Sequence, residues 1–319
     1  MPGVAGLQEQ DRSEGAAPSV RPPAVAGMFY PAEPVQCQRL ARQLVFGEES
    51  AQRSLGRSES PAPSANWIGA IVPHAGWLAS GAVAGESLRT LAAALAEPPD
   101  IVVVFGAVHT PIDLPLAALD SHARWAVPGG ESTVARELGA RLVERSDRFV
   151  VDDRFHAREH AVEVELPLIQ AVWPRAAVLP VEVPLIDDSV ELGRITAGAQ
   201  QAQGARAVYL ASSDLTHYGP AYGFAPAGVG PQGLNWAKDN DRRLLDLVRR
   251  LAADRVVPEV RARANACGGG AIAAMLSACL EHGATRADVL RHVNSFETLA
   301  AVAPQRPVDA VGYAAVVVG

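Results

Sequence analysis

The constraint that narrows this chain most is a repeated rhythm of short apolar runs, each followed by a helix-like stretch. Trp67–Val72, Asp100–Phe105 and Arg206–Ala211 are nearly continuous apolar runs, the second rich in β-branched residues. Such runs suit strands covered on both faces. Stretches with helical character follow them, at about 81–95, 132–144 and 236–252. Strand-helix alternation predicts an α/β fold with a mixed, largely parallel central sheet and helices on both faces.

The rest of the chain fits that frame. A helix is expected from Pro34 to about Val45, since proline suits a first turn. Residues 47–65 read as a surface loop and residues 1–20 as a disordered tail before a single domain over 21–319. Ser132 is the expected cap of its helix. The segment after Glu159 should be helical with a late start or a kink at Pro167, and His160 and Glu163 should share a face. Ala177–Val183 contains Pro180, which predicts an edge or irregular strand. Cys267-Gly-Gly-Gly270 should open a helix to about Leu280, and strands are expected at about 287–293 and 309–318.

Three of the apolar runs end in groups that can bind a metal or move a proton. The first ends at His74, the second at His109 and the third at Asp214 and His217. In a parallel sheet these ends share one edge, where α/β proteins bind their ligands. His217 lies three residues after Asp214, so the carboxylate can orient the imidazole. Cys267 stands at a predicted helix N-terminus, where the dipole favours a thiolate. His160 is placed to reach the same region. Cys37 and Cys279 read as small buried apolar residues, and His122, His282 and His292 as surface residues. Two imidazoles with a thiolate leave positions open on iron, copper or zinc.

Composition excludes some classes. A net charge of −7 leaves no cheap way to build a basic face for nucleic acid. No apolar run approaches the ~20 residues that span a bilayer, and the N-terminus lacks a basic-then-apolar export pattern. Three cysteines are too few and too odd in number for a disulfide framework, which points to a cytoplasmic setting. No apolar run leads into a Walker loop or a Gly-x-Ser-x-Gly turn.

Six stretches in one order carry a resemblance. They are Val25-Ala-Gly-Met-Phe-Tyr-Pro31, Val72-Pro-His-Ala-Gly76, Phe105-Gly-Ala-Val-His109, Glu159-His-Ala-Val-Glu-Val-Glu-Leu-Pro167, Ser212-Ser-Asp-Leu-Thr-His-Tyr-Gly219 and Ala266-Cys-Gly268. Together they resemble the Memo family, whose bacterial and archaeal members are labelled AmmeMemoRadiSam system protein B. The resemblance implies a fold related to the class III extradiol dioxygenases, which use nonhaem Fe(II). It implies that His74, His109 and Cys267 match metal-binding positions and that Asp214, His217 and His160 line the same pocket. Iron or copper, redox chemistry and a radical-SAM partner are the associations it brings. A human relative binds phosphotyrosine peptides.

Three functions follow as expectations. The first is a metal-binding redox protein or oxidoreductase in whose catalytic pocket His217, oriented by Asp214, transfers protons and His160 forms a wall. The second is an extradiol-type dioxygenase. The third is a non-catalytic module that binds a peptide or an anion in the same pocket. The chain has Gly106-Ala-Val-His109 where the family usually has Gly-Pro-Ser/Asn-His, so a polar neighbour beside that His is missing, and it has Trp77 where the family often has tyrosine. The dioxygenases use a carboxylate where this chain has Cys267, and a thiolate turns the metal preference towards softer ions.

Overall fold

A computed structural model describes residues 19–47, 66–111, 115–300, 302 and 308–319. The expected loop at 47–65 lies outside them except for Gly47, as does the expected tail up to residue 18. Strand β1 is Val20–Arg21, followed by helix α1, Pro34–Phe46, whose first turn is capped by the Glu33 carboxylate. Then come β2 Gly69–Val72, α2 Trp77–Ala94, β3 Ile101–Ala107, β4 Ala117–Leu119, β5 Arg124–Val127 and β6 Gly130–Thr133. Next are α3 Arg136–Arg145, β7 Phe149–Val151, α4 Asp153–His156, α5 Leu166–Val172, β8 Ala177–Val183, α6 Ser189–Gln203 and β9 Ala207–Ser212. The C-terminal part holds β10 His217–Tyr218, α7 Pro231–Arg249, α8 Ala253–Arg263, α9 Gly269–Glu281, β11 Ala287–Asn294, α10 Ser295–Thr298 and β12 Ala310–Val318.

The main sheet runs β10-β12-β2-β9-β3-β8-β4-β7, with β11 also on β12. The inner strands β2, β9, β3 and β8 are parallel, while β12 and β4 are antiparallel to their inner neighbours. This is the α/β architecture that the apolar runs predicted. One face carries a large core that includes α6, α8 and α9; α1, α2 and α5 cover the other. Helix α9 is buried from Gly269 to Cys279. It packs so closely on α6 that a β-carbon at Gly193 would collide with the Ala274 carbonyl.

Two local expectations fail and a third holds only in its late helix start, each for an identifiable reason. Ser132 does not cap α3. A Pro128-Gly129 turn, with Gly129 at φ 85°, makes a hairpin, and Ser132 sits in β6 opposite Trp125. Strand β8 is internal rather than an edge strand. Pro180 is tolerated because β4 pairs only with Val181 and Glu182, beyond the residue that lacks an N–H. The segment after Glu159 is a turn, then a 3-10 helix at Glu163–Glu165, before α5 starts with Pro167 in its first turn. His160 and Glu163 therefore diverge. Glu163 is fully buried and accepts from Arg21 Nη1 at 2.6 Å, Tyr30 OH at 2.7 Å and the Ala24 and Val25 amides. It anchors the N-terminal segment instead of facing the site. Removing one member of such a buried pair costs about 3–5 kcal/mol.

Candidate metal centre

The parallel order of β2, β9 and β3 brings three strand ends to one edge. His74 follows β2, His109 follows β3 and Asp214 follows β9. The imidazole centroids of His74 and His109 lie 5.1 Å apart, those of His74 and His160 also 5.1 Å, and those of His109 and His160 4.5 Å. One ring nitrogen from each of the three lies within 4.8 Å of the others. Cys267 comes from the turn before α9, and its sulfur lies 3.3 Å from His74 Nε2. A tetrahedral ion with bonds of about 2.1 Å to nitrogen and about 2.3 Å to sulfur would separate such donors by about 3.6 Å. The donor set therefore fits a transition metal. The structure brings His74, His109 and Cys267 close together, and His160 joins the two imidazoles.

Each imidazole is held by its outer nitrogen. His74 Nδ1 is 2.9 Å from Ser212 Oγ, and that hydroxyl donates to the Ala161 carbonyl at 2.5 Å. Its proton being committed, Ser212 accepts from His74, which leaves the Nε2 lone pair of His74 aimed at Cys267. Burial, then the neighbouring His109 and His160, push His74 well below the ordinary histidine range. It is neutral and ready to ligate.

Glu159 holds the other two rings. Its Oε1 lies 2.9 Å from His109 Nδ1 and 3.1 Å from His160 Nδ1. The same carboxylate accepts the backbone amides of His109, Thr110, His160 and Ala161. Burial opposes its charge, but the bonds from His109 and His160 prevail and hold it far below the usual carboxylate range. For His109, burial again works against charge. Contact with the Cys267 sulfur and the bond to Glu159 outweigh it and push the imidazole up to about 10. Carboxylate–imidazole pairs of this kind orient metal ligands and raise their basicity. Sequence reasoning missed Glu159 and Ser212 in these roles. Their only signal was adjacency, Glu159 to His160 and Ser212 to Ser213-Asp214.

Asp214 and His217 lie at the mouth, but not as a hydrogen-bonded pair. His217 Nε2 is 3.9 Å from Asp214 Oδ2 and has no hydrogen-bond partner. Asp214 Oδ1 instead accepts the His74 amide at 2.9 Å, and its backbone N–H points at the Cys267 sulfur at 3.3 Å. Burial pushes the Asp214 carboxyl up to about 7, against the pull of the His74 and Ala75 amides. Burial and then the charge of His109 and His160 push His217 down to about 4. Near neutral pH it is the carboxyl, not the imidazole, that titrates. The Cys267 thiol also departs from expectation: burial raises it, and the Gly268 amide beyond it is already taken by Ser213 Oγ at 2.9 Å.

A cavity of about 430 Å³ opens onto the cluster, lined by His74, His109, His160, Asp214, His217 and Tyr222 among others. A second donor group among the described residues, Asp120, His122 and Asp153, has its carboxylates occupied. Asp120 accepts from Trp125 and His122, and Asp153 from Ser121. His292, expected at the surface, is mostly covered and bonds Asp241 at 2.9 Å; His282 bonds Tyr209 OH at 2.8 Å. Cys37 and Cys279 are buried, as expected. Gly228-Val-Gly-Pro-Gln-Gly233 has the spacing of a dinucleotide turn, but no strand of the parallel set leads into it. No helix among the described residues is long and apolar enough to cross a membrane.

The Memo-like protein family model matches residues 21–317. A MEMO1 family protein of Methanosarcina barkeri is 32% identical over 303 residues, spanning 94% of this chain and 100% of the relative. One from Pyrococcus horikoshii is 30% identical over 308 residues, with 93% and 98% covered.

Proposed function

This chain belongs to the Memo family, and on that premise we propose that it is a metal-dependent redox protein working at a His/His/Cys centre. The observation that carries the reading is that His74, His109 and His160 each bring one ring nitrogen within 4.8 Å of the others at the wall of one cavity, with Cys267 Sγ 3.3 Å from His74 Nε2. His74, His109 and Cys267 would hold the metal, with His160 as an additional donor. Bound iron or copper would supply one-electron chemistry, and the mixed imidazole–thiolate set suits both.

The chain's own residues divide the remaining work. Ser212 and Glu159 fix the ligand rings. Asp214 Oδ2 holds or releases a proton near neutral pH, facing the partnerless Nε2 of His217 across 3.9 Å. Phe29 stacks on His160 at 4.6 Å and closes one side of the cavity against water.

Metal analysis of protein purified without chelator tests the reading. Wild type should carry iron or copper, and Cys267→Ser and His74→Ala should lose most of it. Metal content unaffected by both substitutions overturns the proposal. Oxygen uptake with a catechol and Fe(II) would instead support the ring-cleaving alternative. A metal-free protein whose peptide affinity survives His74→Ala would support a binding module.

A further inference from the structure

Behind the loop that carries Asp214 and His217 lies a buried polar cluster that takes no part in the site described above. Asp241, on α7, is almost fully buried, and its Oδ1 accepts the Thr216 amide at 2.9 Å. Its Oδ2 accepts from His292 Nε2 of β11 at 2.9 Å. The preceding residue, Asn240, donates from Nδ2 to Thr216 Oγ1 at 3.1 Å and to the Arg263 carbonyl at 3.0 Å. The Asn240 carbonyl accepts from Asn265 Nδ2, also at 3.0 Å. Asn265 is fully buried and stands two residues before Cys267. Strand β12 makes room for the carboxylate with Gly312, where a β-carbon would collide with Asp241. Gly312 also exchanges backbone bonds with Leu215 and Thr216.

We infer that Asn240 and Asp241 form a positioning clamp that sets the separation of His74 and Cys267. One arm grips Thr216, two residues beyond Asp214; the other grips Arg263 and Asn265, just before Cys267. Asp214 lies between the arms and touches both donors. Its carboxylate accepts the His74 amide, its N–H reaches Cys267 Sγ, and its carbonyl accepts the Cys267 amide at 3.3 Å. A shift of Thr216 is thereby transmitted to both donors through one residue. A buried carboxylate is costly unless its bonds are used. Here one goes to the backbone of the segment that carries Asp214, through the Thr216 amide, and the other to His292 Nε2 on β11.

The clamp is independent of which metal binds, but its effect on metal rests on the His/His/Cys reading. The test uses the full chain, with Co(II) alone as probe and absorption from thiolate to Co(II) as readout. A parallel arm measures alkylation of Cys267 by iodoacetamide in metal-free protein. Asp241→Ala should weaken Co(II) binding about tenfold, the lower end of what losing support behind a ligand costs, and should diminish the thiolate band. Asp241→Asn keeps an oxygen for the Thr216 amide and should restore both to within about twofold of wild type. Val248→Ala, a core change on the same helix, should lower the melting temperature and leave the band alone. Asn240→Ala should act as Asp241→Ala does, in smaller measure, and serves if the latter does not fold.

A wild-type Co(II) affinity and band in both alanine variants overturn the clamp. If wild type itself shows no thiolate band, the reading of Cys267 as a ligand fails, and the alkylation arm then decides the clamp. Faster alkylation in the alanine variants than in wild type supports it, and equal rates overturn it.

Discussion

His74 and His109 face each other with ring centroids 5.1 Å apart, yet they are held by opposite kinds of partner. Behind His74 stands a neutral hydroxyl, Ser212, whose own proton is committed to a carbonyl. Behind His109 stands Glu159, a carboxylate that collects bonds from two rings and four backbone amides. The first arrangement makes a neutral ligand with a free lone pair. The second, acting with the Cys267 sulfur, keeps His109 protonated until something displaces the proton: Cys267 first and Glu159 after it push its imidazole up to about 10. The difference divides the cluster into a ready donor and an electrostatically primed one, and it tells which substitutions should matter most.

Glu159→Gln should have the largest effect. It removes the charge that two imidazoles share and puts an amide donor among N–H groups. Metal affinity should fall by about 10–100-fold, measured by competition with a chelator. Ser212→Ala should do less. His74 keeps its place through burial and its amide bond to Asp214, so the loss is one neutral hydrogen bond, about 1 kcal/mol, or five- to tenfold in affinity. Equal effects of the two would erase the distinction drawn between the two rings.

Asp214→Asn should give the smallest change in metal affinity, since an amide oxygen can still accept the His74 amide, and its effect on stability should appear in the pH profile. The Asp214 carboxyl is pushed up to about 7 in the fold, against about 3.9 in an unfolded chain. Between those values the native state holds the extra proton. Stability from this group is therefore full below about pH 4 and is lost as pH rises towards 7. Denaturant melts of metal-free wild type should show that decline, and Asp214→Asn should flatten it. An unchanged slope would mean that Asp214 does not titrate there.

Much of this was legible in the chain. Apolar runs announced the inner strands β2, β3 and β9, and parallel pairing of these three put His74, His109 and Asp214 on one edge. What was not legible depended on backbone turns. The i, i+3 spacing of His160 and Glu163 implied a shared helical face, but residues 160–162 turn before a 3-10 helix, and Glu163 points to Arg21. The spacing of Asp214 and His217 implied an orienting bond, yet the Asp214 carboxylate is taken by the amide of His74 from another strand end. Glu159 was hidden for the same reason: its partners include His109, fifty residues away in sequence.

X-ray absorption of the metal-loaded protein tests the convergence of imidazoles and thiolate most directly. A centre built on His74, His109 and Cys267 predicts imidazole scattering together with a single sulfur at about 2.3 Å, and the sulfur should vanish in Cys267→Ser. A spectrum with nitrogen and oxygen neighbours alone, identical in wild type and Cys267→Ser, would contradict it.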